Sequence, residues 1–314
     1  MLRVIAIAWL AASLASAGCN SVFGVDDLTF DGRGGDAGGS GGVGGTAGSG
    51  GGAGGSEGGA GGSGGGGAAG GGGAATTLLV DRGLVARYFL DEAGEGTEPP
   101  QALDAALEPL HLPIAYEENL SYAGMAGRRG LLSNVIDADG RATIGLTGTK
   151  VASALTGSTE ATIEIVATIA NASPAGSRLI HMGTGTARGD FSLRVVTQNR
   201  LDLAWADGLA AEWPFAAGDR MVIHLVVDTQ AVEGQNRARL FIDGLEASPM
   251  SLIPIPMGDT LSFSNSSQLA LANRGDGNRS FAGMLGYAAI YSVKLTADEI
   301  ENNVARLAAD DDGP

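Results

Sequence analysis

The sequence predicts an all-β fold, a two-sheet antiparallel β-sandwich of jelly-roll type with a short C-terminal helix. Three observations carry this expectation. Short runs rich in β-branched and aromatic residues recur from Leu84 onward, separated by Gly, Asn, Asp or Pro turns. The run from Phe281 to Val293 alternates with a period of two and is apolar on both faces, as a strand buried between layers must be. Only one convincing helix is present, and it follows that run directly.

The chain has 314 residues, of which 53 are Gly, and most of these fall in one block. The foldable part is therefore about 230 residues, the size of one large sandwich. A net charge of −16 argues against nucleic acid or an anionic membrane surface as partner, since both require clustered Lys and Arg.

Residues 1–18 read as a targeting segment. Arg3 supplies the positive start, and Val4 to Leu14 is apolar but too short to span about 30 Å of hydrocarbon. The small residues Ala15, Ser16, Ala17 and Gly18 then lead to Cys19. This arrangement resembles a bacterial lipoprotein signal, which implies cleavage before Cys19 and lipidation of its sulfur. An ordinary signal-peptidase site at Ala15-Ser-Ala17 is the alternative and would leave a free thiol. Cys19 is the one cysteine in the chain, and lipidation would consume a thiol that is otherwise a liability outside the cytoplasm. Attachment through two or more acyl chains is effectively permanent.

Residues 19–30 resemble the segment that follows the lipidated cysteine in lipoproteins of gliding Gram-negative bacteria. Asn20 stands where Asp would signal retention in the inner membrane, so the outer membrane or cell surface is the expected location. Residues 31–75 are almost entirely Gly, Ala and Ser and cannot bury enough apolar area to become ordered. As a flexible linker they would span about 35–40 Å.

Residues 76–308 carry the strands. The candidates are Leu84–Leu90, Ala142–Ile144, Ala161–Ala170, Arg178–Met182, Phe191–Val196, Leu201–Trp205, Met221–Asp228, Ala238–Ile242 and Gln268–Ala272, with Ala102–Leu110 a loop or short helix. In the closing stretch, Phe281, Gly283, Leu285, Tyr287, Ala289, Tyr291 and Val293 share one face by strict alternation. Thr296-Ala-Asp-Glu299 is a capping box, with Leu295 and Ile300 placed to form a hydrophobic staple. Residues 309–314 form an acidic, frayed tail.

Four of these pieces, in order, resemble one known family. Gly83-Leu-Val-Ala-Arg-Tyr-Phe-Leu-Asp-Glu-Ala-Gly-Glu-Gly96 is similar to the opening of laminin-G-like domains in the concanavalin A-like lectin/glucanase superfamily. Phe191–Val196 with Leu201–Trp205 resembles the family's middle hairpin. Met221–Asp228 with Ala238–Gly244 resembles its next pair, and Tyr287–Ile300 its closing strand and helix. Two positions depart from the family, since Met221 and Val166 stand where tryptophans are usual.

The resemblance implies non-catalytic binding or adhesion, with carbohydrate or a surface protein as partner, and a monomer is expected. It also implies a calcium ion at the sandwich rim. Asp104 matches the family's early loop aspartate, Asp276 and Asn278 lie in an oxygen-rich turn, and Gly286 occupies the slot where the closing motif usually has Asp. A hard cation needs about six or more oxygens, so Asp104 would require such partners. Some family members are glucanases with carboxylates at alternate strand positions. Here Glu160 and Glu164 share a face about 13 Å apart along the backbone, and Thr162 replaces the middle carboxylate. Catalytic pairs stand about 5–5.5 Å apart in retaining enzymes and about 6.5–9.5 Å apart in inverting ones. A glycoside hydrolase is thus the alternative function, and a structural envelope protein without a small ligand is a third.

The histidines lack metal spacing: His224 lies in an apolar strand, and His111 and His181 have no cysteine or spaced carboxylate nearby. The Arg-Gly-Asp triplets at Arg188 and Arg274 read as turns. Trp205 and Trp213 are the candidates for stacking on sugar.

The anchor has a direct test. Cys19→Ala is expected to abolish acyl labelling and to release the protein from the membrane fraction. Retention of the lipid by this variant would overturn the assignment.

Overall fold

A computed structural model of the chain describes residues 78–90, 97–117, 120–125, 128–185 and 187–309. The targeting segment, Cys19, the glycine block and residues 310–314 lie outside the described residues. Strand β1 (Leu84–Phe89) is followed by the short β2 (Gln101–Ala102), then β3 (Leu112–Ala115) and the pair β4 (Leu120–Met125) and β5 (Arg128–Ser133). Strand β6 (Arg141–Gly145) leads through helix α1 (Lys150–Leu155) to the long β7 (Glu160–Asn171). A meander follows, β8 (Ser177–Thr184), β9 (Phe191–Val195), β10 (Arg200–Trp205) and β11 (Gly208–Pro214). Next come β12 (Arg220–Asp228), β13 (Ala238–Ile242), β14 (Leu245–Ala247) and β15 (Ser251–Leu252). The last elements are β16 (Ser267–Leu271), β17 (Ala282–Tyr291) and helix α2 (Ala297–Ala309).

These strands make two antiparallel sheets. The first runs β14-β13-β12-β7-β17-β5-β4, with β1 also paired to β17. The second runs β15-β11-β10-β9-β8-β16-β6-β3-β2. Their facing sides share one apolar core, to which β7 gives Ile163 and Ile165, β12 gives Ile223 and Leu225, and β10 and β11 give Leu203 and Trp213. The alternation of buried apolar residues between sheets is the sandwich pattern that the sequence predicts.

The elements absent from the sequence reading have weak local signals. Strand β11 (Gly-Leu-Ala-Ala-Glu-Trp-Pro) is rich in residues of low β propensity, and its extended state comes from pairing with β10. Strands β4 and β5 pair with each other through Ala123–Gly130 and Gly124–Arg129, where no apolar alternation exists to reveal them. Helix α1 has six residues, too few for a periodicity to show. Its start is nevertheless capped, since Thr149 Oγ1 accepts from the Ala152 amide at 3.3 Å. The stretch Ala102–Leu110 is a loop after the short β2.

Helix α2 begins as its sequence requires. The Glu299 amide donates to Thr296 Oγ1 at 3.3 Å, and Glu299 Oε2 accepts from the Thr296 amide at 2.8 Å. Leu295 and Ile300 are buried in the same apolar cluster with Leu307, on the outer side of the first sheet. The helix thus covers a sheet face that would otherwise be open.

Strand β17 corrects the expectation of strict alternation. Its pairing with β7 shifts register between Leu285 and Tyr287, so Gly286 is the extra residue of a β-bulge. Before the bulge, Phe281 and Leu285 face the central core. After it, Ala288 and Ile290 do so, while Tyr287, Ala289 and Tyr291 turn to the outer cluster under α2. One inserted residue moves both tyrosines to the other side of the sheet.

There they meet a buried charge. Glu164 of β7 is fully buried, and its carboxylate accepts four hydrogen bonds. His224 Nε2 and Asn303 Nδ2 donate to Oε1 at 2.7 and 2.8 Å. The hydroxyls of Tyr287 and Tyr291 donate to Oε2 at 2.9 and 2.8 Å. Arg87 extends the network from β1, donating from Nε to the Tyr287 oxygen at 3.1 Å, from Nη2 to the Tyr291 oxygen at 3.3 Å, and from Nη1 to Asp81 at 2.7 Å. Asn303 Oδ1 accepts from the Val80 amide at 2.9 Å. The network therefore ties β1, β7, β12, β17, α2 and the segment before β1 to one carboxylate.

Burial by itself would raise the Glu164 pKa, but the His224 hydrogen bond and charge, with the two tyrosine hydroxyls, outweigh it and hold the pKa below 4.5. Burial and the Glu164 charge together push the Tyr287 and Tyr291 pKa values upward, so both stay protonated donors. Because the folded state lowers the carboxylate pKa, its stabilising contribution is present above pH 4.5 and is lost as pH falls through the folded value. Glu164→Ala strands buried donors and is expected to lower stability by about 3–5 kcal/mol in urea unfolding. Acid unfolding should also lose part of its dependence on pH below 4.5 in this variant. An unchanged midpoint would show that the network does not bear on stability.

Candidate functional site

With α2 covering the outer face of the first sheet, attention passes to the outer face of the second. Along β8 to β11, inward residues such as Leu193, Leu201, Leu203 and Trp213 fill the core. The positions between them face away from it. Register brings four of these into one row across the sheet: Arg178 opposite Arg194, Arg194 opposite Asp202, and Asp202 opposite Glu212.

A pocket of about 390 Å³ lies over this row, lined by Arg178, Arg194, Asp202 and Glu212 together with Arg188, Arg200, Arg274 and Arg279. Pro174, Val196 and Leu209 add apolar wall. Six arginines thus converge on one pocket in a chain that has 19 Lys and Arg against 35 Asp and Glu.

Four of the six face a carboxylate. Arg194 makes a buried two-pronged pair with Asp202, and Arg274 a similar pair with Asp276. Arg200 stands 3.4 Å from Glu212, and Arg279 stands 3.5 Å from Asp137. The guanidinium groups of Arg178 and Arg188 pair with no carboxylate among the described residues, although the Arg188 amide donates to Asp207 Oδ1 at 2.7 Å. Arg178 is 2% exposed, and its guanidinium donates to the carbonyls of Gly176 and Ala187. Its Nε has no partner. Burial, then the charge of Arg194, with Arg274 and Arg279 adding to it against the opposing pull of Asp202, pushes its pKa down to about 9. It remains a cation at neutral pH.

Beside the pocket, the loop carrying Arg188 closes over the sheet. A side chain at Gly189, whose φ is +113°, would come within 2.0 Å of Ser192 Oγ and 3.0 Å of His181 Nδ1, so glycine is required there. Beneath it, Ser192 Oγ and His181 Nδ1 lie 3.1 Å apart. Burial and the nearby Arg178 charge lower the His181 pKa to about 4. Both side chains are fully buried, which shields this Ser–His pair from any substrate.

The residues singled out in the sequence occupy other places. Trp205 and Trp213 are core residues, 4% and 0% exposed. Trp205 packs edge-on to Phe191 and donates from Nε1 to Asp259 at 3.0 Å. Neither presents a ring face to solvent, so the stacking expectation is corrected. Both lie on inward strand positions, where the two-residue period puts large apolar side chains between the sheets.

The three residues proposed for calcium do not fit it. Asp104 Oδ1 accepts from the amides of Arg87 and Ala106, and Oδ2 from the amide of Leu110, each at 2.9 Å. Lys150 Nζ stands 2.6 Å from Oδ2. A carboxylate already filled by three amides and an ammonium has no lone pair to offer a cation. Asp276 is committed to Arg274. Asn278 has φ +59° and donates its amide to Asp139 at 3.1 Å, the behaviour of a turn residue. Among the described residues, no three His, Cys, Asp or Glu side chains gather as metal ligands.

Of the glucanase pair, Glu164 is sealed in the network under α2. Glu160 lies near Lys294, 3.5 Å from its Nζ. Asp104→Asn is expected to cost about 1.5–3 kcal/mol of stability by weakening charged hydrogen bonds. Calcium and chelator alike should leave its melting temperature and that of the parent unchanged. A calcium-dependent rise in the parent would restore the metal reading.

The arginine pocket itself was not legible in the sequence. Its available signals were the polar, outward phase of Arg178, Arg194 and Arg200 within apolar strands, and the two Arg-Gly-Asp turns, which supply Arg188 and Arg274.

Comparison with known proteins agrees with the architecture. The family model described as the concanavalin A-like lectin/glucanases superfamily matches residues 145–301. No curated protein matches the chain. Among solved structures, Trypanosoma rangeli sialidase in complex with the inhibitor DANA is 14% identical, covering 72% of this chain and 33% of its own, with a TM-score of 0.51. The binding domain of botulinum neurotoxin DC in complex with rat synaptotagmin II is 11% identical, covering 72% of this chain and 52% of its own, with a TM-score of 0.51. A structure of botulinum neurotoxin type C, described as dependent on two ganglioside molecules for cell entry, is 10% identical over 72% of this chain and 51% of its own, with a TM-score of 0.52. The chain therefore spans about a third of the sialidase and about half of each toxin chain, and the likeness at these identities is one of fold. With the sandwich, its closing strand and helix, and the matched span taken together, this chain belongs to the concanavalin A-like lectin/glucanase superfamily.

Proposed function

We propose that the domain is a non-catalytic module that binds carbohydrate, carried on a secreted protein anchored to the outer membrane or cell surface through Cys19. The observation that carries the binding role is the pocket over β8–β11. Its volume of about 390 Å³ lies within the range of small-molecule sites, about 300–1,000 Å³. It sits on rigid strands, and its polar groups converge from four of them and two turns.

The non-catalytic part of the reading rests on the acidic residues. Glycoside hydrolysis uses two carboxyl groups flanking the scissile bond. Glu164 is saturated with hydrogen bonds and closed off by α2. In the pocket, Asp202 is held by Arg194 and Glu212 faces Arg200. Such carboxylates are held as counter-ions to arginines, an arrangement that suits a binding surface better than the free acid and base pair of a hydrolase.

Proteins that share the fold include one whose cell entry depends on gangliosides and one in complex with synaptotagmin II, so carbohydrate and protein ligands both suit the scaffold. The compact pocket favours carbohydrate. A glycan array probed with the full chain is expected to give saturable binding, and the same glycans are expected to remain uncleaved on long incubation. Hydrolysis would replace this reading with an enzymatic one. A blank array would exclude a carbohydrate ligand and leave a protein partner.

A further inference from the structure

The pocket holds two guanidinium groups, of Arg178 and Arg188, that no carboxylate among the described residues neutralises. Buried Arg and Lys are almost always paired, because removing a cation from water without compensation is costly. This chain has a large excess of carboxylates, 35 Asp and Glu against 19 Lys and Arg. Among the described residues Arg178 nevertheless makes no ion pair, feeling Asp202 only at a distance, although its neighbours Arg194, Arg200, Arg274 and Arg279 each face a carboxylate. Arg188 is exposed where the loop meets the pocket; its amide donates to Asp207, but its guanidinium pairs with no carboxylate among the described residues. Both lie in the one pocket on which six arginines converge.

We propose that the pocket is an oxyanion site that takes the carboxylate or sulfate group of an acidic sugar, with Arg178 beneath it and Arg188 at its rim. The sugar part of this assignment rests on the carbohydrate-binding reading; the anion part stands on the arginines alone. A guanidinium matches a carboxylate or sulfate with parallel N–H donors, and a bound anion supplies the charge that the fold leaves out. The pairs Arg194–Asp202 and Arg200–Glu212 hold the surrounding side chains in place, so that the site is formed before the ligand arrives. Val196, Leu209 and Pro174 offer apolar wall to the C–H face of a ring. A long polyanion would meet the repulsion of a chain with net charge −16, whereas a single acidic group seated among the six arginines would meet it less. Binding to the pocket should weaken as salt rises.

The test is calorimetric titration of the full chain with sodium sulfate, sodium glucuronate and, as the uncharged counterpart, glucose, all at low ionic strength. One saturable site for sulfate or glucuronate is expected, with none for glucose. Arg178→Gln is expected to weaken anion binding about tenfold or more, as loss of a charged hydrogen bond does. Arg188→Ala changes an exposed side chain, so it preserves the fold and should weaken the same binding several-fold. Absence of saturable anion binding, or affinity unchanged in both variants, overturns the site. Anion binding with a blank glycan array supports the site and removes the sugar. Neutral glycans bound equally by the parent and both variants overturn the anion site and leave the carbohydrate reading standing.

Discussion

The carboxylate of Glu164 is the point on which the outer layer of this sandwich depends. An ionised group at zero exposure is tolerated only when its charge and lone pairs are met, and here histidine, asparagine and two tyrosines meet them. Each donor comes from a different place in the chain: β12, α2 and two positions of β17. The same tyrosine oxygens then accept from Arg87 of β1. A one-residue slip in any of these strands would turn a donor to the other face and leave the charge unpaired. The network thus acts as a register lock as well as a source of stability, and the Gly286 bulge exists in the strand that needs its tyrosines moved.

The lock divides the work between the two outer faces. On the first sheet, Tyr287, Tyr291, Phe89 and Val226 are covered by α2, and that face is committed to stability. On the second, the matching positions are charged, and β8–β11 present Arg178, Arg194, Asp202 and Glu212 in a row. Buried charge is met differently in the two layers. The Glu164 carboxylate has four donors from the chain, whereas the Arg178 guanidinium has no carboxylate paired with it among the described residues. Incomplete neutralisation of a buried charge is unfavourable for folding and useful for binding, which is the basis of the site proposed on the second face.

Electrostatics sharpens the contrast. An acidic chain repels anions in general, and a pocket of positive potential inside that field restricts anion binding to one place. The carboxylates at its edge keep the arginines oriented. In the proposed site Asp202 and Glu212 act as supports, each facing an arginine.

The fold was legible in the sequence to the extent that it depends on local pattern. The two-residue period of β7, β10 and β12, the turns between strands, and the capping box at Thr296 all act over a few residues, so they survive in a linear reading. Strands β11, β14 and β15 were not legible, because pairing with neighbours and not side-chain pattern makes them extended. The Gly286 bulge was missed for a related reason: an extra residue shows only when the partner strand is present to count against it. The site was less legible still. Trp205 and Trp213 drew attention as aromatics, yet their inward phase put them in the core. Asp104 drew attention as a loop acid, but its lone pairs belong to the amides of Arg87, Ala106 and Leu110. Whether a carboxylate is free or filled is decided by groups that only folding brings near. By itself the sequence determined the sandwich class, the capped helix and the buried period of its strands, since these follow from side-chain spacing along the chain. Only the tertiary structure decided that Glu164 would be enclosed by four donors and that six arginines from strands and turns would share one pocket, because charge pairing depends on distances through space.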